Sequence, residues 1–231
     1  MRHAAAPARG MIQFFHVTRK FSHGAPALDD VSVHIEKGEF VFLTGPSGAG
    51  KTTFLKMIFR EDVPTSGQVV VNNEDVATMP ARRIPHLRRQ VGVVFQDFKL
   101  LPRKTVFENV AFATQVIGLP RKEQRSRTYH VLEMLGLNHR LHNYPEQVSG
   151  GEQQRMAIAR ALVNKPLILL ADEPTGNLDP DLAKEIMGLF KDINSHGTTV
   201  IVATHDRDMI RRMGRRLVAL DHGRLVAAAV A

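Results

Sequence analysis

Residues 45–52 carry a pattern that can bind phosphate groups, because they read Gly-Pro-Ser-Gly-Ala-Gly-Lys-Thr. Glycine lets backbone amides turn inward around an anion, the lysine adds a positive charge, and the threonine hydroxyl can ligate Mg²⁺. The mostly apolar run 39–44 precedes this loop and predicts a buried strand, followed by a helix whose positive end faces the anion. The predicted nucleoside-triphosphate site consists of Gly45, Pro46, Ser47, Gly48, Ala49, Gly50, Lys51, Thr52 and Thr53.

Two consecutive carboxylates, Asp172 and Glu173, follow the apolar run 168–171. Adjacent side chains of a strand point in opposite directions, so these two acids cannot perform the same task. We predict that Asp172, together with the Thr52 hydroxyl, holds Mg²⁺, with water between the carboxylate and the metal. Glu173 is then predicted to point at the γ-phosphate and polarise the attacking water.

Three further side chains are candidates for the same site. Gln96 follows the apolar run 91–95 and could reach the metal or the water with its amide, and His205 follows the apolar run 200–204 and could bond the γ-phosphate. Taken alone, Gln96 could equally be a surface residue, and the role of a single histidine is ambiguous. Phe21 could stack on adenine, or it could be a core residue.

A second glycine-rich element, residues 149–155, reads Ser-Gly-Gly-Glu-Gln-Gln-Arg and precedes a helical pattern. Amides at the start of that helix can also face an anion. One nucleotide rarely needs two helix N-termini from distant parts of one chain. We therefore expect Ser149, Gly150, Gly151 and Glu152 to contact ATP that is bound to another copy of the chain, in a homodimer that forms on ATP binding.

The elements that must position these residues alternate between strand and helix patterns, which favours an α/β fold with a mostly parallel core sheet. Short apolar runs before and after a turn at 22–26 predict an antiparallel β layer. Helical spacing with turn signals predicts a helical subdomain inserted at about residues 100–160. The predicted segments are strands 12–17, 31–35, 68–71, 167–171, 198–204 and 217–226 (a pair), and helices 181–194 and 206–213.

Length and composition indicate one domain over residues 11–231, preceded by an extension, residues 1–10, without periodicity, which we predict to be disordered. The chain has 231 residues and no cysteine, so a disulfide framework is excluded. No apolar stretch approaches the roughly twenty residues that cross a bilayer. We therefore expect a cytosolic protein whose membrane role, if any, requires a partner.

The formal net charge of +8 raises the question of a polyanionic partner. Basic residues cluster at 82–89, 121–127 and 211–216. These clusters could be solvated helix faces, or they could attract either the anionic cytoplasmic leaflet or a nucleic acid. Few aromatic residues lie among them and no nucleic-acid module is recognisable, which favours the membrane surface, and nucleic-acid binding is not expected.

The order of these motifs resembles that of the ATP-binding-cassette ATPases, from about residue 11 to residue 226. The resemblance implies a P-loop NTPase fold and two subunits packed head to tail around two ATP molecules. It further implies that Glu173 is the general base, that His205 contacts the γ-phosphate and that Gln96 links the site to a membrane partner. By the same resemblance Asp179, in the segment Asn177-Leu178-Asp179, communicates across the dimer.

Within that family, segments 94–101, 105–110 and 163–166 resemble the cell-division branch most closely. Lipoprotein-releasing and macrolide-export ATPases share segment 174–179 and the Gly-Glu-Gln signature, so those features do not separate the branches. The resemblance implies a peripheral protein at the cytoplasmic face of the inner membrane, which passes motion to an integral membrane protein through a groove around residues 98–103.

Two alternatives remain at this stage. One is the ATPase subunit of an exporter of the lipoprotein or macrolide type. The other is a recruitment module in which ATP controls shape and hydrolysis is incidental, although the intact carboxylate of Glu173 argues against a pure module. A chromosome-organising ATPase would need a long heptad insertion before the signature, and no sustained heptads occur there.

Overall fold

The computed structural model describes residues 10–22 and 24–230. Residues 1–9 of the predicted N-terminal extension lie outside the described residues, as does His23 of the predicted turn.

The strands form two sheets. A four-stranded antiparallel sheet has the order β2-β1-β4-β5, and a six-stranded sheet has the order β10-β9-β3-β8-β7-β6. The strands are β1 (Ile12–Arg19), β2 (Leu28–Ile35), β3 (Phe40–Thr44), β4 (Ser66–Val71), β5 (Glu74–Asp75), β6 (Val91–Val94), β7 (Ile168–Asp172), β8 (Thr199–Ala203), β9 (Arg216–Asp221) and β10 (Arg224–Val230). Every pairing in the larger sheet is parallel except that of β10 with β9, so the predicted mostly parallel core sheet and antiparallel layer are both confirmed.

Seven α-helices belong to the described part of the chain. They are α1 (Lys51–Ile58), α2 (Ile84–Arg89), α3 (Val106–Val116), α4 (Arg121–Met134), α5 (Gly150–Leu162), α6 (Pro180–Ser195) and α7 (Arg207–Met213). Helices α3, α4 and α5 occupy the region predicted to be helical, whereas α2 was not predicted. None of the helices among the described residues is long and apolar enough to cross a membrane.

The larger sheet separates two hydrophobic cores because successive side chains of a strand point to opposite faces. Val41 and Leu43 of β3 pack into the core shared with the antiparallel sheet and α1. Phe40 and Phe42 pack into the core shared with the helices on the other face. Apart from Asp172 and Thr199, strands β7 and β8 consist of apolar residues and are almost completely buried, as expected of parallel strands covered on both faces.

Parallel strands end at the same edge of the sheet, and this edge gathers the predicted site residues. The phosphate-binding loop follows β3, Gln96 follows β6, and His205 follows β8, while Asp172 is the last residue of β7. The register is level there, since Leu43 and Asp172 both lie opposite Ala203 of β8. Ligands of open parallel sheets bind outside such carboxyl ends.

A buried amide fixes the segment that joins β6 to α3. Asn109 of α3 is completely buried, its side-chain nitrogen donates to the carbonyl oxygens of Leu101, Lys104 and Thr105, and its side-chain oxygen accepts from Leu101 N. Thr105 caps α3 in a reciprocal pair of hydrogen bonds with Glu108. Residues 101–105 are therefore held by α3 itself.

We predict that Asn109→Ala lowers the free energy of unfolding by about 2 kcal/mol or more, because buried backbone groups lose their partners. Urea denaturation followed by circular dichroism measures the change. Gln115→Ala, at an exposed position of the same helix, is the control and should stay within about 0.5 kcal/mol of the parent. Equal stabilities of the two variants would contradict the role given to Asn109.

Candidate active site

A cavity of about 630 Å³ opens at the carboxyl edge of the larger sheet. Apart from the glycine-rich signature, most of the residues predicted to bind or hydrolyse a nucleotide line this cavity. They are Pro46, Ser47, Gly48, Gly50, Lys51, Thr52, Thr53, Gln96, Asp172, Glu173 and His205, and the lining also includes Ala27 and Gly176, which were not predicted. Segments from four different strand ends and from the start of α1 therefore converge on one pocket.

The loop between β3 and α1 adopts a backbone shape that requires glycine at its two ends. Gly45 has φ +149° and Gly50 has φ +103°, both outside the range that other residues commonly occupy. A Cβ atom at Gly45 would lie 2.1 Å from Leu220 O, and one at Gly50 would lie 2.3 Å from Ala27 O. Neighbouring backbone thus closes around the loop, so Gly45 and Ala49 support it from behind without lining the cavity.

The side chain of Lys51 folds back across the loop that precedes it. Its Nζ donates to Gly45 O at 2.7 Å and to Pro46 O at 3.1 Å. These bonds hold the ammonium group beside the cavity that Lys51 lines. A positive charge at the start of α1, where the helix dipole is also positive, gives this end of the cavity a strong preference for an anion.

Thr52 and Asp172 meet across the cavity although 120 positions separate them in the chain. The Thr52 hydroxyl donates to Asp172 Oδ2 at 2.9 Å. Burial raises the pKa of the Asp172 carboxyl, and the neighbouring Glu173 charge acts in the same direction, while the bond from Thr52 and the charge of Lys51 oppose the rise. The two oxygen-bearing side chains predicted to share a metal ion are therefore adjacent.

Glu173 is turned away from Asp172 by the backbone. Its φ of +46° places it in the left-handed region, and its N–H donates to Ala203 O at 2.9 Å. Its Oε1 lies 2.8 Å from His205 Nδ1, which donates to it when that nitrogen carries the proton. The Glu173 side chain is 13% exposed and that of His205 is 74% exposed. The pair thus combines a sheltered carboxylate with an accessible imidazole.

Phe21 lies just after β1, beside the cavity and not in the core. It is 50% exposed, so the alternative that it is a core phenylalanine is wrong. It borders a smaller cavity of about 330 Å³, together with Thr52, Thr53 and Lys56. The Arg19 guanidinium carbon lies 4.6 Å from the centroid of its ring, so this cation contacts the aromatic ring.

The glycine-rich signature, residues 149–152, does not line the cavity of its own chain. Ser149 caps α5: its hydroxyl accepts from Glu152 N, and a Glu152 carboxylate oxygen accepts from Ser149 N at 2.8 Å. Arg140 also donates to Glu152 at 2.8 Å. Desolvation works against ionisation, but the Arg140 and Ser149 bonds outweigh it and lower the pKa of Glu152 to about 2.

Leu182 joins the signature to the start of α6. Asp179 caps α6 by accepting from Leu182 N at 3.0 Å, and it does not line the cavity. A Cβ atom at Gly151 would lie 2.5 Å from the Leu182 side chain, whereas one at Gly150 would meet nothing within 4 Å. Packing within the chain therefore explains the absence of a side chain at Gly151 but not at Gly150.

Comparison with protein-family models matches residues 28–176 to the family described as "ABC transporter". Among curated proteins, the cell division ATP-binding protein FtsE of Bacillus subtilis (strain 168) is 50% identical over 94% of this chain and 95% of its own length. The FtsE protein of Mycobacterium tuberculosis is 52% identical over 94% of both chains. That of Escherichia coli K12 is 46% identical over 93% of this chain and 97% of its own.

Among solved structures, the chain is similar to the dimeric post-hydrolysis state of the ATP-binding cassette MJ0796 bound to ADP and Pi. The TM-score is 0.86 at 38% identity, and the match covers 95% of this chain and 98% of that chain. The structure of cbiO1 from Clostridium perfringens, part of the ABC transporter complex cbiONQ, gives a TM-score of 0.89 at 30% identity, over 96% of this chain and 89% of that chain.

The two signature glycines provide a matched pair for mutation. We predict that Gly151→Ala lowers the free energy of unfolding by about 1–3 kcal/mol, because its methyl group would displace Leu182. Gly150→Ala should leave that free energy unchanged or raise it by up to about 1 kcal/mol, since alanine favours the helix. Chemical denaturation of both variants measures the difference, and equal destabilisation would contradict the packing described here.

Proposed function

The chain belongs to the ABC transporter family, and we propose that it is the ATPase subunit of a membrane complex that acts in cell division, as the name of its FtsE relatives indicates. The observation that carries the proposal is the convergence of the phosphate-binding loop, Gln96, Asp172, Glu173 and His205 on one cavity. Such a set of groups suits phosphoryl transfer from ATP to water. The ADP- and Pi-bound neighbour is a related ATPase seen after hydrolysis.

Binding of ATP is assigned to the loop and to Phe21. Backbone amides of residues 45–50 and the Lys51 ammonium would face the β- and γ-phosphates. Phe21 is exposed beside the loop and next to Thr52 and Thr53, where its ring can stack on adenine. Arg19 contacts the same ring, so it would fix the ring orientation.

Hydrolysis is assigned to Glu173 and His205. The sheltered carboxylate of Glu173 can accept a proton from the attacking water, and the imidazole holds that carboxylate at 2.8 Å. When His205 is doubly protonated, its other ring nitrogen can also donate to the γ-phosphate. Gln96 lines the same cavity and would orient the water or a metal ligand with its amide.

Thr52, Asp172 and Gln96 are the proposed Mg²⁺ site. Their donor atoms are all oxygens, and the 2.9 Å contact between Thr52 and Asp172 brings two of them together. Mg²⁺ usually keeps several waters and binds one or two protein oxygens together with substrate phosphates, which this sparse donor set fits. When bound, the ion would neutralise charge that develops between the β- and γ-phosphates.

ATP is proposed to lie between two copies of the chain. Ser149 and Gly150 do not line the cavity of their own chain, and Gly150 presents open backbone at the start of α5. A second copy could therefore bring these amides to the γ-phosphate across the interface. The dimeric MJ0796 cassettes support this arrangement. Asp179, at the start of α6, would communicate between the two sites.

The proposed partner is an FtsX-like integral membrane protein. A groove of about 800 Å³ between β6, α3 and α5 is lined by Phe95, Phe112, Val116 and Arg160, among others. Phe112 is 41% exposed and Val116 is 67% exposed, so an apolar face is open for docking. Arg160 connects this groove to residues 98–99, the start of the segment through which we expect motion to pass.

Peripheral attachment at the cytoplasmic face of the inner membrane is proposed to involve the basic cluster at the start of α4. Each basic cluster contains arginines that pair with carboxylates of the chain: Arg83, Arg211 and Arg216 in the other two clusters, and Arg127 in this one. Among the described residues, Arg121, Lys122 and Arg125 form no ion pair. These cations follow the apolar end of α3 and are available to lipid phosphates. Near an anionic membrane surface, each such cation contributes about 1 kcal/mol to the binding free energy.

We predict that Glu173→Gln keeps ATP binding but lowers turnover by about 100-fold or more, because the amide cannot accept the water proton. Phosphate release and size-exclusion chromatography with MgATP measure turnover and the accumulated dimer. Glu133→Gln, which alters an exposed carboxylate on α4, is the control and should turn over like the parent. Near-parental turnover of Glu173→Gln, or division that proceeds normally with it, would favour the recruitment-module alternative.

We also predict that Ser149→Arg loses ATP turnover while each chain still binds nucleotide, because the bulky cation blocks only the face offered to a second copy. Equilibrium binding of a fluorescent ATP analogue and phosphate release measure the two properties. Ser126→Arg makes the same change at an exposed position of α4 and should keep its turnover. Full activity of Ser149→Arg would count against a shared site.

A further inference from the structure

One guanidinium group connects the signature helix to the segment that carries Gln96. Arg160 of α5 donates through Nη2 to Phe98 O at 2.6 Å and through Nη1 to Lys99 O at 2.5 Å. The planar fork of arginine suits two neighbouring oxygen acceptors, and a lysine ammonium cannot reproduce that geometry. Burial lowers the pKa of Arg160, and arginine nevertheless stays protonated in proteins.

The two residues that Arg160 holds are in an unfavourable backbone conformation. Phe98 has φ +56° and Lys99 has φ +49°, so two consecutive residues with side chains occupy the left-handed region. Each such residue costs about 1 kcal/mol or more and persists only where its surroundings hold it. The turn is closed internally by bonds from Phe98 N to Phe95 O and from Lys99 N to Asp97 O.

The side chains of Phe98 and Leu100 pack against the core on the helix-covered face of the larger sheet, but few other polar contacts secure this turn. In the described part of the chain, and apart from the bond to Phe95 O, the hydrogen bonds between residues 97–100 and the rest of the protein are those from Arg160. Asn109 secures the segment only from Leu101 onward. The hydrogen bonding that holds the backbone of the turn therefore comes from α5, and Gln96 lies two residues before the first carbonyl that Arg160 holds.

Helix α5 begins at the signature and carries Arg160 near its other end. Arg160 lies eleven positions after Ser149, a distance of about 16 Å along a helix with a rise of 1.5 Å per residue. Near its start the helix is joined to α6 by the Arg155 to Glu185 pair at 2.7 Å and by the contact of Gly151 with Leu182. A displacement of the signature would thus move the Arg160 guanidinium with it.

We propose that Arg160 is a positioning residue that carries the state of the signature helix to Gln96. When a nucleotide on a second copy engages Ser149 and Gly150, α5 shifts, and the Phe98 and Lys99 carbonyls move with the guanidinium. Gln96 then takes its place beside the metal and the water. The inference rests on the proposed roles of Gln96 and of the shared site.

A kinetic comparison gives the first test. Arg160 does not line the nucleotide cavity, so Arg160→Met should keep the dissociation constant for a fluorescent ATP analogue within about twofold, while kcat falls by about tenfold or more. Arg88→Met is the matched control, since Arg88 also donates to two backbone carbonyls, Phe59 O and Arg60 O, but outside this turn. An unchanged kcat in Arg160→Met, or an equal loss in Arg88→Met, would overturn the proposal.

A spectroscopic test follows the turn directly. The chain contains no cysteine, so Asp97→Cys offers a unique site for a nitroxide label. In a Glu173→Gln background, MgATP should change the mobility of this label, and Arg160→Met should abolish the change while Arg88→Met preserves it. Arg160→Lys keeps the charge and most of the stem, so it serves if the methionine variant folds poorly, and the change should be lost or reduced there too.

The outcomes separate the proposal from the function on which it rests. A label that responds to MgATP equally with and without Arg160, or that never responds, would overturn the coupling. Full turnover of Gln96→Ala would instead remove the proposed role of Gln96, whatever the label shows. If the label in Arg160→Lys responds to MgATP as strongly as in the parent, a positive charge alone suffices. That result would contradict the need for the two hydrogen bonds from the guanidinium group.

Discussion

The level register of the parallel strands is the constraint on which the site depends. Leu43 of β3 and Asp172 of β7 both lie opposite Ala203 of β8, so the chain leaves all three strands at the same height. The loop after β3, the acids at the end of β7 and His205 after β8 therefore meet without any long side chain having to reach. A slip of one residue would move the side chains of a strand into the core on the opposite face of the sheet and separate Thr52 from Asp172.

Under the proposed function, one chain supplies only one half of the ATP site. The cavity of the chain is lined by a lysine, a threonine and two carboxylates, and the signature does not line it. Ser149 and Glu152 satisfy each other in a capping box, and Leu182 fills the space beside Gly151. Within the signature, Gly150 has neither a packing nor a conformational reason in its own chain to lack a side chain. Under the proposed arrangement, a second copy of the chain would supply that reason.

Local patterns predicted most of the residues that line the cavity, because they lie at strand ends and in a glycine loop whose spacing is visible in the sequence. Contacts between distant segments were not predictable in the same way. Ala27 and Gly176 line the cavity because of how loops fold over it, and no motif marks them. Tertiary packing likewise determines that Phe21 is exposed and Asn109 buried. It also brings Arg160 within hydrogen-bonding distance of the carbonyls of residues 98–99. The helix α2 was missed because its six residues carry too little periodicity.

Complementation between two inactive variants tests most directly whether one site needs two chains. Lys51→Ala removes a phosphate contact from the loop, and Ser149→Arg blocks the signature. Neither protein alone should therefore hydrolyse ATP. In a mixed dimer, the intact loop of the Ser149→Arg chain faces the intact signature of the Lys51→Ala chain. ATP turnover by the mixture well above the sum of the separate proteins is the result that the account predicts. A mixture no more active than that sum, with mixed dimers present, would contradict it.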